Sequence, residues 1–339
     1  MKTFLRLLLS LVLTGLFLYW AFSGLDLGQI WRMMRSTSLS WIAIITITTL
    51  GTLLLRAWRW IVFLRPTSPQ VTLFDATAAL TVCYAANFAV PRAGEALRAV
   101  SLRWSKGVSV PTSIATVVVE RVIDMVWLIL FVGVALLLVP SRIEVEFPWI
   151  EGAAISTLAA CSVLLAVLVT AVHKEDRGVA LVDRPLRRLS GPLADRVSDM
   201  LRKFTRGLDS LKTPGSYVEI IISSCLLNLG YVALVWESFY AFGFDADPGL
   251  GFDAAVVIMA IAGIGMVAPA AGGGAGSYHY FFGHSLHALF EVPEAAALAC
   301  ATLMHASANI IYLSLGVPCF FLQRRRATND TAEPEADAK

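Results

Sequence analysis

Three ionisable residues lie close together inside a long apolar stretch of the sequence. Glu120, Arg121 and Asp124 each place a charge where a lipid bilayer would penalise it unless it is paired. Arg121 and Asp124 are three residues apart and Glu120 and Asp124 are four apart, so a helix brings all three together. One carboxylate is left in excess, and we expect Arg98 or Arg92 to approach it. The group is a structural ion network, a functional one, or both.

A second group of polar residues surrounds a break in the apolar run 73–90. Its members are Asn87, Pro91, Arg92, Gly94, Glu95 and Arg98. We count Glu95 with the intramembrane charges, and Asn87, Arg92 and Arg98 with the substrate-binding candidates. Pro91 and Gly94 predict a turn, and Asn87 can satisfy backbone groups that the break leaves free. Arg92 and Arg98 offer forked donors suited to a phosphate. The alternative is that both arginines only mark the cytoplasmic side of the membrane.

A third group follows the apolar run 254–270, which ends at Pro269. Its glycines are Gly272, Gly273, Gly274 and Gly276. Glycine amides can approach a ligand closely, and a helix starting at Ser277 would favour an anion there. The alternative is close packing of the turn.

Further polar residues are secondary candidates. His279, which we count with the substrate-binding residues of the glycine turn, and His305 could titrate near neutral pH and gate transport, but ordinary polar packing is the favoured explanation. His305 and Asn309 share a helix face, and Asn228 is a possible partner. The histidine spacing matches no metal motif, so we expect neither a metal site nor a cofactor. Arg56 and Arg59 are expected to reach lipid headgroups by snorkelling.

The composition defines the elements that must position these residues. Of 339 residues, 57% are apolar and 15% are charged, against about a quarter in soluble domains. A mean hydropathy of +0.70 predicts an all-α, polytopic integral membrane protein. The net charge of +2 does not favour a nucleic-acid partner. Spans are predicted at 4–23, 41–64, 112–138, 152–172, 217–242 and 295–322, the first being retained rather than cleaved as a signal peptide.

Loop charges predict the orientation in the cell (inner) membrane. Lys and Arg are in excess over 173–216 and directly after the last span, so both regions and both termini are expected in the cytoplasm. The loops 139–151 and 243–253 are acidic, which fits the outer face. The loop 24–40 disagrees, because it is expected outside and yet contains two arginines.

This orientation makes the two broken regions re-entrant. Segment 73–106 must enter and leave on the cytoplasmic side, and segment 254–290 on the outer side. Each lies between two full spans, which is the pattern of an inverted repeat with a substrate site at the broken helices. The alternative is that each region forms two short ordinary spans.

The chain is expected to form one transmembrane domain over 1–326. Within it, apolar residues recur every three or four positions over 190–212, which predicts an amphipathic helix on the cytoplasmic membrane surface. The polar composition of 327–339 predicts a disordered cytoplasmic tail.

The order and spacing of four motifs resemble a known family. The motifs are Arg56-x2-Arg59, Asn87…Pro91…Gly94-Glu95…Arg98, Glu120-Arg121-x2-Asp124 and Pro269…Gly272-Gly273-Gly274-Ala275-Gly276. Together they resemble the flippase-like transmembrane family, which includes the membrane region of lysylphosphatidylglycerol synthases (multiple peptide resistance factor). The resemblance covers residues 41–322 and implies a domain that moves or holds a lipid between leaflets.

Two departures from the family limit what the resemblance implies. The sequence contains nothing that could be the family's soluble aminoacyl-transfer domain, so synthase activity is not expected. Members often have a glutamate after the glycine turn, where this chain has Ser277-Tyr278-His279-Tyr280. A role resting on that carboxylate is therefore not carried over, and a different lipid becomes a possibility.

The sequence thus favours a flippase-like transporter rather than an enzyme. The two hairpins would hold the headgroup of an anionic phospholipid or a lipid-linked intermediate, with a homodimer or a membrane protein as possible partner. One alternative is an enzyme or accessory subunit of lipid or glycolipid modification, with Glu120 or Asp124 as general base. The other is a small-solute or ion transporter.

Overall fold

The computed structural model describes residues 2–90, 92–173, 183, 187, 191–208, 214–267 and 271–336. The regular structure in these ranges is helical, as predicted. The helices are α1 (Lys2–Phe22), α2 (Leu27–Ser36), α3 (Leu39–Leu64), α4 (Leu73–Ala89), α5 (Gly94–Lys106), α6 (Val110–Leu138), α7 (Pro140–Glu146), α8 (Ile150–His173), α9 (Gly191–Gly207), α10 (Pro214–Phe242), α11 (Phe252–Val267), α12 (Ser277–Phe290) and α13 (Glu294–Ala336).

Four helices are long and apolar enough to cross a membrane without a break: α3, α6, α10 and α13. Two further candidates are bent pairs, in which α1 meets α2 at 83° and α7 meets α8 at 92°. The protein is therefore a polytopic helical membrane protein, with four to six candidate spans in the part of the chain that the structure describes. Large apolar side chains are exposed along the span surfaces, as expected where lipid rather than water is the solvent.

Two short helices correct the sequence analysis, which treated 24–40 and 139–151 as loops. In α2, Ile30 is buried and Asp26 caps the first turn by accepting from the Gly28 amide, at 2.8 Å. In α7, Pro140 occupies a position near the helix start, where its missing amide costs nothing. A short helix with a single buried position gives little periodic signal, which explains why the pattern was missed.

The first predicted hairpin is formed by α4 and α5. At its open end, Lys106 Nζ lies 3.3 Å from Asp75 Oδ2. At its tip, the Gly94 amide donates to Asn87 Oδ1 at 2.8 Å, the role expected for Asn87. A Cβ on Gly94 would collide with the Cys83 carbonyl oxygen, so only glycine lets the two helices approach here. Pro91 lies outside the described residues.

The second predicted hairpin is formed by α11 and α12, which pack against each other along their length. They are joined by a turn that contains Ala271–Gly274, in which Gly272 and Gly273 have φ of 64° and 66°. Gly276, with φ of 85°, precedes the first residue of α12, so the helix starts at Ser277 as expected. Pro269 lies outside the described residues.

The two hairpin tips meet. Arg92, in the first tip, donates from Nη2 to the Val267 carbonyl oxygen at the end of α11, at 2.8 Å. The hairpins enter the bundle from opposite ends. The open end of the first hairpin lies beside Leu64, the last residue of α3, and the open end of the second lies beside Phe242, the last residue of α10. We call the first of these ends, which also carries α9, the α9 end, and the other the α2 end.

The helix pairs follow the pattern of an inverted repeat. The segment α3–α6 corresponds to α10–α13, and α3 packs against its counterpart α10. Helix α4 packs against α13, and its counterpart α11 packs against α6, so the pairs exchange partners as a two-fold axis requires. The helices of both hairpins are all shorter than a full span. This favours re-entrant hairpins over pairs of short spans.

The predicted amphipathic segment contains α9, which packs against the start of α6. Thr112 donates from its hydroxyl to the Lys203 carbonyl oxygen at 2.9 Å, and a Cβ on Gly207 would meet the Thr112 carbonyl oxygen at 2.5 Å. The buried face consists of the small residues Ala194, Ser198 and Thr205 together with Leu208, while Leu193 of the apolar stripe is 47% exposed. Residues 209–212 lie outside the described ranges.

The last helix continues further than the composition predicts. Helix α13 ends at Ala336 and thus includes most of the segment 327–339, for which disorder is predicted. Alanine and glutamate have high helix propensity, so the backbone can continue a helix there without tertiary contacts. Residues 337–339 lie outside the described ranges.

Candidate functional site

Glu120 lies at the centre of a buried ion network between α3, α5 and α6. Its side chain has no exposed surface. Arg98 Nη2 donates to Oε2 at 2.7 Å, and Arg56 Nε donates to Oε1 at 2.9 Å. Arg59 Nη2 lies 3.5 Å from Oε1, and Arg121 Nη2 donates to the same oxygen at 3.1 Å. Four guanidinium groups therefore surround one carboxylate.

Asp124, one turn further along α6, shares three of these partners. Arg59 Nη2 donates to Oδ1 at 2.5 Å, and Arg56 Nη2 donates to Oδ2 at 3.0 Å. Arg121 Nη2 lies 3.2 Å from Oδ2. Arg56 and Arg59 thus belong to the network rather than snorkelling to headgroups, because one face of α3 packs against α6 and carries both side chains inward.

Arg98 is fixed on two sides. Its guanidinium carbon lies 3.6 Å from the ring centroid of Trp60, so the cation stacks on the indole face while it pairs with Glu120. Trp60 is held in turn, because its indole nitrogen donates to Thr116 Oγ1 at 2.9 Å. Arg98 is 1% exposed, which makes it part of the wall of the site rather than a free anion ligand.

The network carries more positive than negative charge, opposite to the excess expected from α6 alone. Four arginines face two carboxylates. Arg121 has 40% of its side chain exposed, and its Nε lacks a hydrogen-bond partner among the described residues, as do the Nε atoms of Arg59 and Arg98. The arrangement can therefore accept an anion at its open side, at Arg121.

Three tyrosines connect the network to the second half of the protein. Tyr231 of α10 accepts from Arg56 Nη1 at 3.1 Å. Tyr84 of α4 lies under the same guanidinium, with 5.9 Å between the guanidinium carbon and the ring centroid. Tyr84 also stacks on Tyr312 of α13 at 4.2 Å between centroids. The first hairpin therefore lines one wall of the site, and α10 and α13 line another.

The glycine turn is held by α1 and α13. Thr14 accepts from the Ala271 amide at 2.7 Å, and a Cβ on Gly276 would meet the Thr14 carbonyl oxygen at 2.7 Å. His305 Nε2 lies 3.2 Å from the Gly273 carbonyl oxygen. The turn is thus packed closely, which supports the packing role that we left open for its glycines.

The histidine cluster is arranged differently from the expectation. The rings of His279 and His305 lie 4.9 Å apart, and Asn309 Nδ2 is 3.1 Å from His305 Nε2. His279 Nδ1 accepts from the Gly276 amide at 3.3 Å, so the Gly276 amide is occupied. Asn228 is not the partner of this group, because its amide donates to the Ser224 carbonyl oxygen on its own helix at 2.8 Å.

Two acids remain outside the network. Glu95 Oε2 is buried without a hydrogen-bond partner among the described residues, although we placed Glu95 with the intramembrane charges. Glu237 of α10, which the sequence analysis missed, also has a buried and unpartnered Oε2. An acid within a 29-residue apolar helix was the signal that could have identified it.

Comparisons with known proteins place the chain in a family. A family model described as "Lysylphosphatidylglycerol synthase TM region" matches residues 7–316. "Glycosyltransferase AglD" of Haloferax volcanii is 25% identical over 265 residues, which is 71% of this chain and 42% of that protein. The chain thus spans less than half the length of this relative. No solved structure matches. Because the family model covers nearly the whole chain, the protein belongs to the family of lysylphosphatidylglycerol synthase transmembrane regions.

Proposed function

We propose that the protein is a flippase-like lipid transporter that holds an anionic headgroup at the ion network and moves it between leaflets. One observation carries the proposal: four arginines face two carboxylates in the interior of the helix bundle, and Arg121 is partly open. A phosphate at Arg121 would offset the excess positive charge. The alternating exposure of the two hairpins would then carry the headgroup across while the acyl tails stay in lipid.

Arg121 is the residue that tests this proposal best. Arg98 was the obvious choice from the sequence, but its loss would leave Glu120 and Trp60 without their shared partner and would perturb the fold. Removal of Arg121 leaves three arginines on the two carboxylates. Arg65 provides the matched control, because it is 50% exposed and pairs with Glu219 at the α9 end.

The experiment measures retained and translocated lipid. Wild type, R121A and R65A are purified gently, and co-purifying lipid is identified by native mass spectrometry. Vesicles containing each protein are then assayed for movement of fluorescent phosphatidylglycerol against fluorescent phosphatidylcholine. We expect wild type and R65A to retain one anionic class and move it, and R121A to lose both properties. Equal, non-selective lipid in all three proteins would refute the headgroup site.

A second candidate function follows from the similarity to AglD, which is named a glycosyltransferase. The protein would then be a membrane component of glycolipid synthesis that presents a lipid-linked substrate to a transferase. This reading expects a bound lipid carrying a sugar or its phosphate, and no translocation in vesicles that contain the protein alone. The same two measurements therefore separate the candidates.

A further inference from the structure

Glu237 stands apart from the ion network, one turn inside the α2 end of α10. Thr48 of α3 donates from its hydroxyl to Oε1 at 2.7 Å. The other carboxylate oxygen, Oε2, is buried and has no partner among the described residues. The aromatic pair Trp41 and Tyr240, with centroids 5.3 Å apart, lies further toward the α2 end, as interfacial aromatics do. We therefore expect the carboxyl group to lie just inside the hydrocarbon boundary.

The inverted repeat gives Glu237 a counterpart in Arg59. Glu237 lies five residues before the end of α10 at Phe242, and Arg59 lies five residues before the end of α3 at Leu64. Their contacts correspond as well: Arg59 on α3 donates to Ser224 on α10 at 3.3 Å, while Glu237 on α10 accepts from Thr48 on α3. The position that carries Arg59, a member of the ion network, in the first half of the repeat thus carries the acid Glu237 in the second half.

Among the described residues, none on the helices that contact α10 forms an ion pair with Glu237, and the arginines of α2 at the same end, Arg32 and Arg35, are exposed. On α3, the residues from Leu39 to Leu55 include no charged side chain, and Arg56 is committed to the network. The titratable groups on α11 and α13 between the α2 end and the glycine turn are the exposed Asp253 and Glu294 at the two helix starts, Cys300 beside Ser238, and His305. On α10 itself they are Tyr231 and Tyr240. No described residue forms an ion pair with Glu237.

An ionised carboxylate with one buried, unpartnered oxygen is costly, and protonation removes that cost. Thr48 lies on the same helix as Arg56 and Arg59, and is two turns away from Arg56. A change in the Glu237–Thr48 bond therefore acts on the helix that carries two of the four network arginines. Helix α3 is therefore the element that connects Glu237 to the ion network.

We propose that Glu237 is a proton-binding site that couples lipid movement to a proton gradient, an inference that rests on the proposed function. A proton from water at the α2 end binds the carboxylate and gives a neutral carboxyl group that keeps the bond from Thr48. When the α3–α10 contact rearranges, the carboxyl group releases that proton to water at the opposite end and becomes a carboxylate again. One proton is carried for each passage of Glu237 through both states.

The first test measures transport under a pH gradient. Vesicles containing wild type, E237Q or E219Q are given a gradient of about one pH unit, which supplies at most a roughly tenfold bias. Glu219 is the matched control, because it lies on the same helix but pairs with Arg65 at the α9 end. We expect the gradient to change the initial rate of fluorescent phosphatidylglycerol movement several-fold in wild type and E219Q. In E237Q the rate should be the same with and without the gradient.

The second test detects the proton without lipid transport. Infrared spectra of the detergent-purified proteins are recorded during a pH titration. A carboxyl band that titrates in wild type and E219Q and is missing in E237Q would support the site. T48V should shift the midpoint of that band, and T48S should restore it.

The outcomes separate the two proposals. Lipid movement by wild type at a rate independent of the gradient would overturn the coupling and leave the transport function standing. A titrating Glu237 band in a protein that moves no lipid would overturn the transport function and the coupling together. Identical infrared titrations of wild type and E237Q would overturn the proton site itself.

Discussion

At the scale of single residues, Glu120 determines whether the centre of the protein can be charged at all. Buried guanidinium groups are tolerated only when they are paired, and Glu120 contacts all four arginines of the network. Asp124 shares the task but is 20% exposed, so water can replace part of its interactions. The two carboxylates therefore differ in importance although they lie on the same helix face.

The first prediction follows from this difference. Glu120→Gln leaves Arg98 and Arg56 with a neutral partner in a buried site, and we expect a loss of about 3–5 kcal/mol of stability. Asp124→Asn should cost clearly less, because Arg59 and Arg56 keep Glu120. Thermal unfolding of both variants in the same detergent measures the order. Equal unfolding midpoints for E120Q and wild type would show that Glu120 does not hold the network.

The sequence predicted part of this network and missed the rest for a definable reason. The cluster on α6 was evident because charges at helical spacing interrupt an apolar run, and Arg98 was correctly named as an approaching cation. Arg56 was assigned to the membrane surface, yet it lies eight residues before the end of α3, about 12 Å along the axis. Which face of α3 meets α6 depends on tertiary packing, which one span's periodicity does not contain.

At the scale of elements, the contact between the two hairpin tips depends on an unusual backbone. Arg92 has φ of 61°, a left-handed conformation that costs a residue with a Cβ about 1 kcal/mol, and its side chain bonds the end of α11. At Arg92, the hydrogen bond to Val267 therefore stabilises the folded protein, while the strained backbone destabilises it.

Two substitutions separate these terms. R92A loses the bond and keeps the strain, while R92G loses the bond and relieves the strain. We expect R92G to be about 1 kcal/mol more stable than R92A, as judged from unfolding midpoints. Both variants should show faster amide exchange at the end of α11 than wild type. If the two variants unfold at the same midpoint, the left-handed conformation carries no strain.

Close packing between α4 and α13 gives another prediction. A Cβ on Gly316 would collide with the Thr81 carbonyl oxygen and meet Ala85 Cβ at 2.9 Å. Gly316→Ala should therefore force α13 away from the first hairpin and cost about 1–3 kcal/mol.

Gly51 is the matched control for this substitution. It lies within α3 with nothing within 4 Å of the added Cβ, so Gly51→Ala should be neutral or stabilise by up to about 1 kcal/mol. Chemical unfolding of the two variants checks the difference. A destabilisation of the same size at both positions would point to a general effect of glycine in the spans rather than to helix contact.

The hairpins themselves were predictable, and the short helices beside them were not. Proline and glycine at both breaks, together with the loop charges, predicted two hairpins that enter the membrane from opposite sides. Helices α2 and α7 are short segments at the α2 end, and their orientation depends on what they pack against. Arg32 and Arg35, the charges that disagreed with the orientation, lie on α2, where both side chains are exposed. Arginines on a helix bent by 83° from α1 can reach the membrane surface without contradicting the topology.

At the scale of the whole molecule, the inverted repeat places chemically different residues at corresponding positions of its two halves. The first half carries arginines and carboxylates, while the second half carries His305 and Asn309 at the four-residue spacing of Glu120 and Asp124 on the corresponding helix. Sequence divergence of this kind hides the repeat from a comparison of the two halves. The helix pairing reveals it, because packing partners persist after the side chains have changed.

The last prediction concerns the orientation of this asymmetric molecule in the membrane. Loop charges predict that α9 lies in the cytoplasm, and the structure puts Arg196 on an exposed face of α9 and Ala246 in an exposed turn at the opposite end. A cysteine introduced by A246C should therefore react with a membrane-impermeant maleimide in intact cells. A cysteine introduced by R196C should react only after permeabilisation. The native cysteines Cys83, Cys161 and Cys300 are buried, while Cys225 and Cys319 are partly exposed, so the unsubstituted chain is labelled in parallel to measure the background. The opposite labelling pattern would invert the topology, and the proton entry proposed for Glu237 would then lie on the cytoplasmic side.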